Sequence, residues 1–144
     1  MVAVREERPH TYRMAKAEGV AVLRTELEGI EPLIWRRVAV RPSISLMGVH
    51  LAIQAAMGWQ DSHLWYFETG ERRYAPRLRS EPEWNERYED AGRQTLGRLL
   101  ASGVRRMNYI YDMGDFWEHL VVIEKIASPL SGQRYPQFLG GERR

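Results

Sequence analysis

The stretch Tyr109-Ile110-Tyr111-Asp112-Met113-Gly114-Asp115-Phe116-Trp117-Glu118-His119 constrains the fold most. Residues rich in Tyr and Ile precede it from Arg105, and aromatic and β-branched residues run on to Lys125. Both flanks suit pleated, half-buried strands. The segment Asp112 to Asp115 between them has turn chemistry. Gly114 can take a positive φ without steric cost, and Asp112 can bond to its own backbone. A two-residue loop would pair Ile110 with Trp117 and Asn108 with His119. A turn with a glycine bulge would shift that register by one and separate Asp112 from Asp115. Both are open to this sequence. In either register Asp115, Trp117 and His119 alternate onto one face.

The rest of the chain reads as a scaffold for this hairpin and for an upstream counterpart, Gly58-Trp59-Gln60-Asp61-Ser62-His63-Leu64-Trp65. Residues 1–19 read as a flexible arm, since they show no apolar period. Val20–Leu27 and Leu33–Val40 alternate as strands around the turn Gly29-Ile30-Glu31-Pro32. Ser43 or Ser45 can cap a helix that runs to Met57, with Leu46, Val49, His50, Ile53 and Met57 on one face. Gly58 stops it. A third strand is expected over His63–Glu68 and a short fourth around Arg72–Ala75. Residues 77–94 read as a polar surface insertion with helical turns near Trp84–Tyr88. Thr95 caps a short helix, Leu96–Ala101. Residues 128–144 read as an irregular tail. The expected fold is α+β: one domain over residues 20–127, an antiparallel or mixed sheet of about six strands, with one main helix and a shorter helix on one face.

Several classes are excluded or weakened. The chain has no cysteine, so disulfides, thiolate metal sites and a cysteine nucleophile are absent. That composition fits a cytoplasmic protein. No apolar run approaches the roughly 20 residues of a membrane span. No phosphate-loop, dinucleotide-binding or nucleophile-elbow pattern occurs. The net charge is +2, and Glu81, Glu83, Glu86, Glu89 and Asp90 offset the neighbouring arginines. Specific duplex DNA binding by this chain alone is therefore not expected.

The candidate polar site is His50, Asp61, His63, Asp112, Asp115 and His119, with Glu118 beside it. Imidazole and carboxylate groups suit Zn, Mn or Fe(II). Asp115 and His119 would stand about 13 Å apart along one strand at roughly 3.3 Å per residue. Asp112 with Asp115 and His63 is the easier set. Each residue also has a structural reading. His50 on an apolar helix face is a buried, bonded histidine; Asp112 and Asp115 hold a turn; Trp35, Trp59, Trp65 and Trp117 are core. Trp35, Arg36, Arg37, Trp59 and Trp117 are the candidate ligand contacts. Arg36 or Arg37 is otherwise a solvated strand residue or a partner for Asp112 or Asp115.

Several spaced segments resemble one family. They are Pro32-Leu33-Ile34-Trp35-Arg36-Arg37; Leu46, His50 and Gln54 leading to Met57-Gly58-Trp59; Asp61, His63-Leu64 and Phe67; and Tyr109, Tyr111-Asp112-Met113-Gly114-Asp115, Trp117 and His119. Together they resemble the plasmid pRiA4b ORF-three-like family, some of whose members are passenger proteins of insertion elements. The resemblance covers Val20 to Ile126, with a weaker continuation from Tyr135. It implies an α+β domain of bacterial, mobile-element-linked proteins and no established activity. Members continue into a Pro-Pro-Glu-Asp tail; here Tyr135-Pro136 and Gly140-Gly141-Glu142 are present and the sequence stops at Arg144. A piece of a longer protein and a natural short member both fit. The expected function is a non-enzymatic binding or accessory module for a protein or small ligand, with no cofactor. The alternative is a metal-dependent hydrolase using Asp112, Asp115, His63 and His119 with a divalent metal.

Overall fold

The computed structural model describes residues 19–142. Most of the arm expected at residues 1–19 lies outside the described residues. Eight strands form one sheet: β1 (Val20–Leu27), β2 (Ile34–Val40), β3 (Trp65–Thr69), β4 (Arg72–Ala75), β5 (Glu89–Asp90), β6 (Arg106–Tyr111), β7 (Trp117–Ala127) and β8 (Gln137–Glu142). Their order is β5-β4-β3-β6-β7-β1-β2-β8. Every pairing is antiparallel except the short parallel contact of β5 with β4. Among the described residues three helices accompany the sheet: α1 (Leu46–Met57), α2 (Pro82–Arg87) and α3 (Leu96–Ala101).

The expectation of about six strands and two helices on one face is corrected in two places. The stretch expected to be an irregular tail contains β8, whose register slips at Arg37/Val38 as it pairs with β2. Its Gly-rich sequence gives little strand propensity, yet Gly141 fits where a side chain could not. A Cβ there would lie 2.5 Å from the Trp35 carbonyl oxygen. The polar insertion 77–94 supplies α2 and β5. Its Tyr88 packs with Tyr66, Ala75 and Ile110 in a second, smaller core. Tyr66 and Ile110 alternate with Trp65, Phe67, Tyr109 and Tyr111 of the main core, so α2 covers the face opposite α1 and α3.

The main core lies between the sheet and the pair α1 and α3. Both helices begin on the expected caps. The Ser45 side chain accepts from the Gly48 N–H, and that of Thr95 from the Arg98 N–H. The two helix starts are also tied together: Leu46 N–H donates to the Gln94 carbonyl at 2.9 Å, and Leu96 N–H to the Ile44 carbonyl at 3.0 Å. Gly58 ends α1 in the left-handed conformation, φ 76°, and its N–H bonds back to Ala55 and Gln54. Arg36, 6% exposed, secures the same helix end by donating Nε–H to the Ala56 carbonyl at 2.9 Å. Cations at a helix C-terminus also complement its dipole.

The hairpin takes the register shifted by one, with Tyr111 opposite Trp117 and Tyr109 opposite His119. Its left-handed residues are Asp112 (φ 62°) and Phe116 (φ 60°). Gly114, expected to have positive φ, does not. The Asp112 carboxylate does the turn's work instead, accepting from the N–H groups of Gly114 and Asp115 at 3.2 and 3.3 Å. His63, expected to open the third strand, precedes β3 in the loop.

Candidate functional site

The polar residues divide into a buried ring of hydrogen bonds and an exposed loop pair. Helix spacing sets His50 and Gln54 one turn apart on the buried face of α1. Below them, Tyr109 of β6 is fully buried. Gln54 Nε2–H donates to the Tyr109 hydroxyl at 2.9 Å. The hydroxyl lies 2.7 Å from His50 Nδ1, and His50 Nε2 lies 2.7 Å from Asp61 Oδ1. Asp61 N–H returns to Gln54 Oε1 at 2.7 Å and closes the ring.

Donor counting fixes the protons. An ionised carboxylate only accepts, so His50 Nε2 carries the hydrogen. Nδ1 then accepts, and the Tyr109 hydroxyl, already accepting from Gln54, donates its own hydrogen to it. Each hydrogen in the ring then has one acceptor, the Tyr109 oxygen both accepts and donates, and His50 is neutral. Burial holds the His50 pKa below the ordinary value against the pull of Asp61. The same burial pushes the Tyr109 phenol up. Trp65 stacks flat on the imidazole at 4.0 Å between centroids. Asp61, whose φ of 52° is unfavourable for a residue with a side chain, is held by these bonds.

His119 sits across Tyr109 from His50. Its Nδ1–H donates to the Tyr109 carbonyl at 3.1 Å, and its Nε2 is buried without a partner among the described residues. Burial pushes its pKa down to about 4, opposed by the carbonyls of Tyr109 and Trp117. Trp59 closes over it, 5.2 Å edge to face, and stacks on Tyr111 at 5.0 Å. Trp117 stands 6.5 Å from Trp59 and is 37% exposed. His63, half-exposed, approaches Asp112 at 3.7 Å. Asp115 is an exposed turn residue whose N–H bonds to Asp112.

The structure therefore brings His50 and Asp61 together, and separately His63 and Asp112. It does not gather the proposed set of Asp112, Asp115, His63 and His119, because His119 is sealed beneath Trp59 and bonded to the backbone. Among the described residues, no three His, Asp or Glu side chains converge in a metal-binding arrangement. Trp35, Arg36 and Arg37 also part company. Arg36 faces α1. Trp35 and Arg37 face away, with Arg24 at 4.2 Å and Arg37 at 4.9 Å from the Trp35 ring. Arg37 pairs with Glu124 at 2.8 Å, not with Asp112 or Asp115.

The large concavity lies elsewhere, along the outer side of α1. It is a groove of about 940 Å³ between α1 and β8, lined by Gly48, Leu51, Ala55 and Met57 on the helix and Pro136 and Phe138 on the other wall. The small residues of α1 leave its depth open. Leu51 is 49% exposed and Phe138 58%, so the walls present apolar surface to solvent. Sequence reading missed this site because β8 was not recognised. The surplus of Ala and Gly on the outer side of α1 was its signal.

This is an α+β domain with an eight-stranded mixed sheet, an internally bonded polar ring and an apolar groove. Residues 19–144 match the plasmid pRiA4b ORF-3-like proteins, and the chain belongs to that family. It is 36% identical over 121 residues to the uncharacterized protein y4hQ of Sinorhizobium fredii, covering 83% of this chain and 60% of that one. The chain thus spans less than two thirds of that relative's length. The crystal structure of a protein of unknown function, MM3350 of Methanosarcina mazei Go1, has the same fold. Its TM-score is 0.76 at 31% identity, over 86% of this chain and 69% of the other. Among the described residues no helix is long and apolar enough to cross a membrane.

Proposed function

We propose that this chain is a non-enzymatic binding module, cytoplasmic and accessory to a mobile element, that takes a small apolar molecule in the groove between α1 and β8. The groove is the observation that carries this reading. Its volume, about 940 Å³, falls within the usual range of ligand sites, and its walls are mostly apolar. The inward turn of the polar residues supports the non-enzymatic part. His50, Tyr109 and His119 are each at most 1% exposed, and the hydrogen bonds of His50 and Tyr109 are spent on one another and on Gln54 and Asp61. A substrate would have to displace Trp59 or Trp65 to reach them.

The test uses the fluorescent probe 1-anilinonaphthalene-8-sulfonate on the folded chain. Saturable binding at one site is expected, with loss of binding in Ala55→Trp. Ala55 is exposed on the groove wall, so the larger ring fills the groove without entering the core. Binding that is absent, or indifferent to Ala55→Trp at an unchanged melting temperature, refutes the groove as the site.

A further inference from the structure

A second cavity, at the opposite edge of the sheet, is polar. It has a volume of about 660 Å³ and lies where α2, β5 and the start of α3 meet β4. Four arginines line it: Arg77, Arg87, Arg93 and Arg98. Two are fixed by backbone carbonyls. Arg77 donates to those of Asn85 and Tyr88, and Arg98 Nη1 donates to that of Arg93 at 2.6 Å.

The carboxylates of the region are mostly spoken for. Glu89 is held by Arg72 at 2.9 Å, and Asp90 lies 3.8 Å from Arg77 while capping the Gly92 N–H. That leaves Glu86 against Arg87, Arg93 and Arg98, none of which has a carboxylate within 4.0 Å among the described residues. The floor adds a donor. Tyr74 is buried, and its hydroxyl accepts from Gln94 Nε2 at 3.2 Å, which leaves the hydroxyl hydrogen uncommitted among the described residues.

From this arrangement we infer that the cavity binds a phosphate dianion, free or as a monoester of a small molecule. The three uncompensated guanidinium groups come from three separate elements: the last turn of α2, the loop after β5, and the first turn of α3. Donors arriving from several sides suit tetrahedral oxygens better than the planar carboxylate, which favours one two-pronged arginine. The surplus of three cations over one carboxylate matches a dianion. Side-chain hydrogen bonds tie α2 to the segment that precedes it. Asn85 brackets Leu78 with two hydrogen bonds of 2.9 Å, and Trp84 Nε1–H donates to the Pro76 carbonyl at 2.8 Å.

The test is calorimetric titration of the whole chain with inorganic phosphate, ribose 5-phosphate and succinate at low salt. One site per chain is expected for both phosphates, with dissociation constants of roughly 0.1–1 mM, and binding of succinate weaker by about tenfold. Tighter binding of ribose 5-phosphate assigns the monoester; equal binding assigns the free ion. Affinity for ribose 5-phosphate should fall as pH drops below about 6, where a phosphate monoester loses its second charge, and that for inorganic phosphate at a higher pH, near neutrality. Arg87→Gln with Arg93→Gln should weaken binding at least about tenfold, Tyr74→Phe about threefold, and Glu86→Gln should strengthen it about twofold. Arg134→Gln, in the loop before β8 at the far edge, should change nothing. Absence of saturable phosphate binding up to about 10 mM, equal affinity for succinate, or unchanged affinity in the double arginine variant overturns the assignment.

Discussion

His50 Nε2 and Asp61 Oδ1 lie 2.7 Å apart, one fully buried and the other at the surface, and this bond ties α1 to the loop before β3. His50 and Gln54 hold the carboxylate and the N–H of Asp61, whose backbone is left-handed. The ring has no spare partner. In Tyr109→Phe the Gln54 donor and the His50 Nδ1 acceptor both lose their bond inside the core. Each unsatisfied buried group costs on the order of 1–3 kcal/mol, so a loss of about 2–6 kcal/mol is expected in urea denaturation. A loss below about 1 kcal/mol would mean that the ring relaxes onto other groups.

Stability should fall with acid in a window set by the buried histidines. The folded pKa of His119 is about 4 and its ordinary value 6.5, so the unfolded chain holds the proton more tightly. Where the unfolded state binds more protons, stability rises with pH. The contribution of His119 is therefore complete above pH 6.5 and is lost as pH falls toward 4. A shift from 6.5 to about 4 corresponds to roughly 3 kcal/mol at about 1.4 kcal/mol per unit. His50 is shifted in the same direction by the same cause and adds to the slope. The Glu124 carboxyl, lowered chiefly by its bond to Arg37, adds only below its ordinary value of 4.5. Urea midpoints between pH 4.5 and 7.5 measure the effect, and His119→Leu should flatten much of it. An unchanged slope in that variant would reassign the dependence to His50.

Arg36 should resist replacement even by lysine. Its guanidinium reaches the Ala56 carbonyl at 2.9 Å and the Trp35 carbonyl at 2.8 Å from one fixed fork. A lysine ammonium is a single point on a flexible stem and does not reproduce that fork. Arg36→Lys is expected to cost about 1–3 kcal/mol and to loosen the end of α1. Faster amide exchange at Gly58 and Trp59 would report the loosening. Exchange unchanged there, with a melt like the parent's, would show that the arginine is no clamp.

The family and the main elements were legible because they rest on local chemistry. Ser45 and Thr95 are caps, Gly58 is a helix stop, and β1 and β2 are rich in β-branched residues around a Gly-Pro turn. The functional assignment was harder for a physical reason. His50 and Asp61 are 11 positions apart, and the partner that links His50 to the sheet, Tyr109, is 59 away, so only the packed sheet shows them as one ring. The groove needed β8, whose Gly140 and Gly141 carry no strand signal. Gly141 is there because β2 approaches too closely for a side chain, and that is a tertiary fact. The hairpin shows the reverse. Gly114 signals a turn strongly, yet the turn places its left-handed residues elsewhere.

The geometry of the turn ranks its variants. Phe116 has φ 60° with its ring 51% exposed, and Gly114 is outside the left-handed region. A Cβ at Gly114 would meet only the Asp112 carboxylate, at 3.4 Å. Gly114→Ala should therefore change stability by no more than about 0.5 kcal/mol, as at ordinary surface sites. A left-handed residue with a side chain costs roughly 1–2 kcal/mol, and a β-branched one is worse placed than most. Phe116→Val retains that strain, adds branching and gives up part of the ring's contact, so it should destabilise by about 1–2 kcal/mol. Phe116→Asn adopts the left-handed region more readily and should sit near the parent. Melts of the three variants decide the matter. If Gly114→Ala proves the most damaging, the turn's strain lies at the glycine and the register of the hairpin must be redrawn.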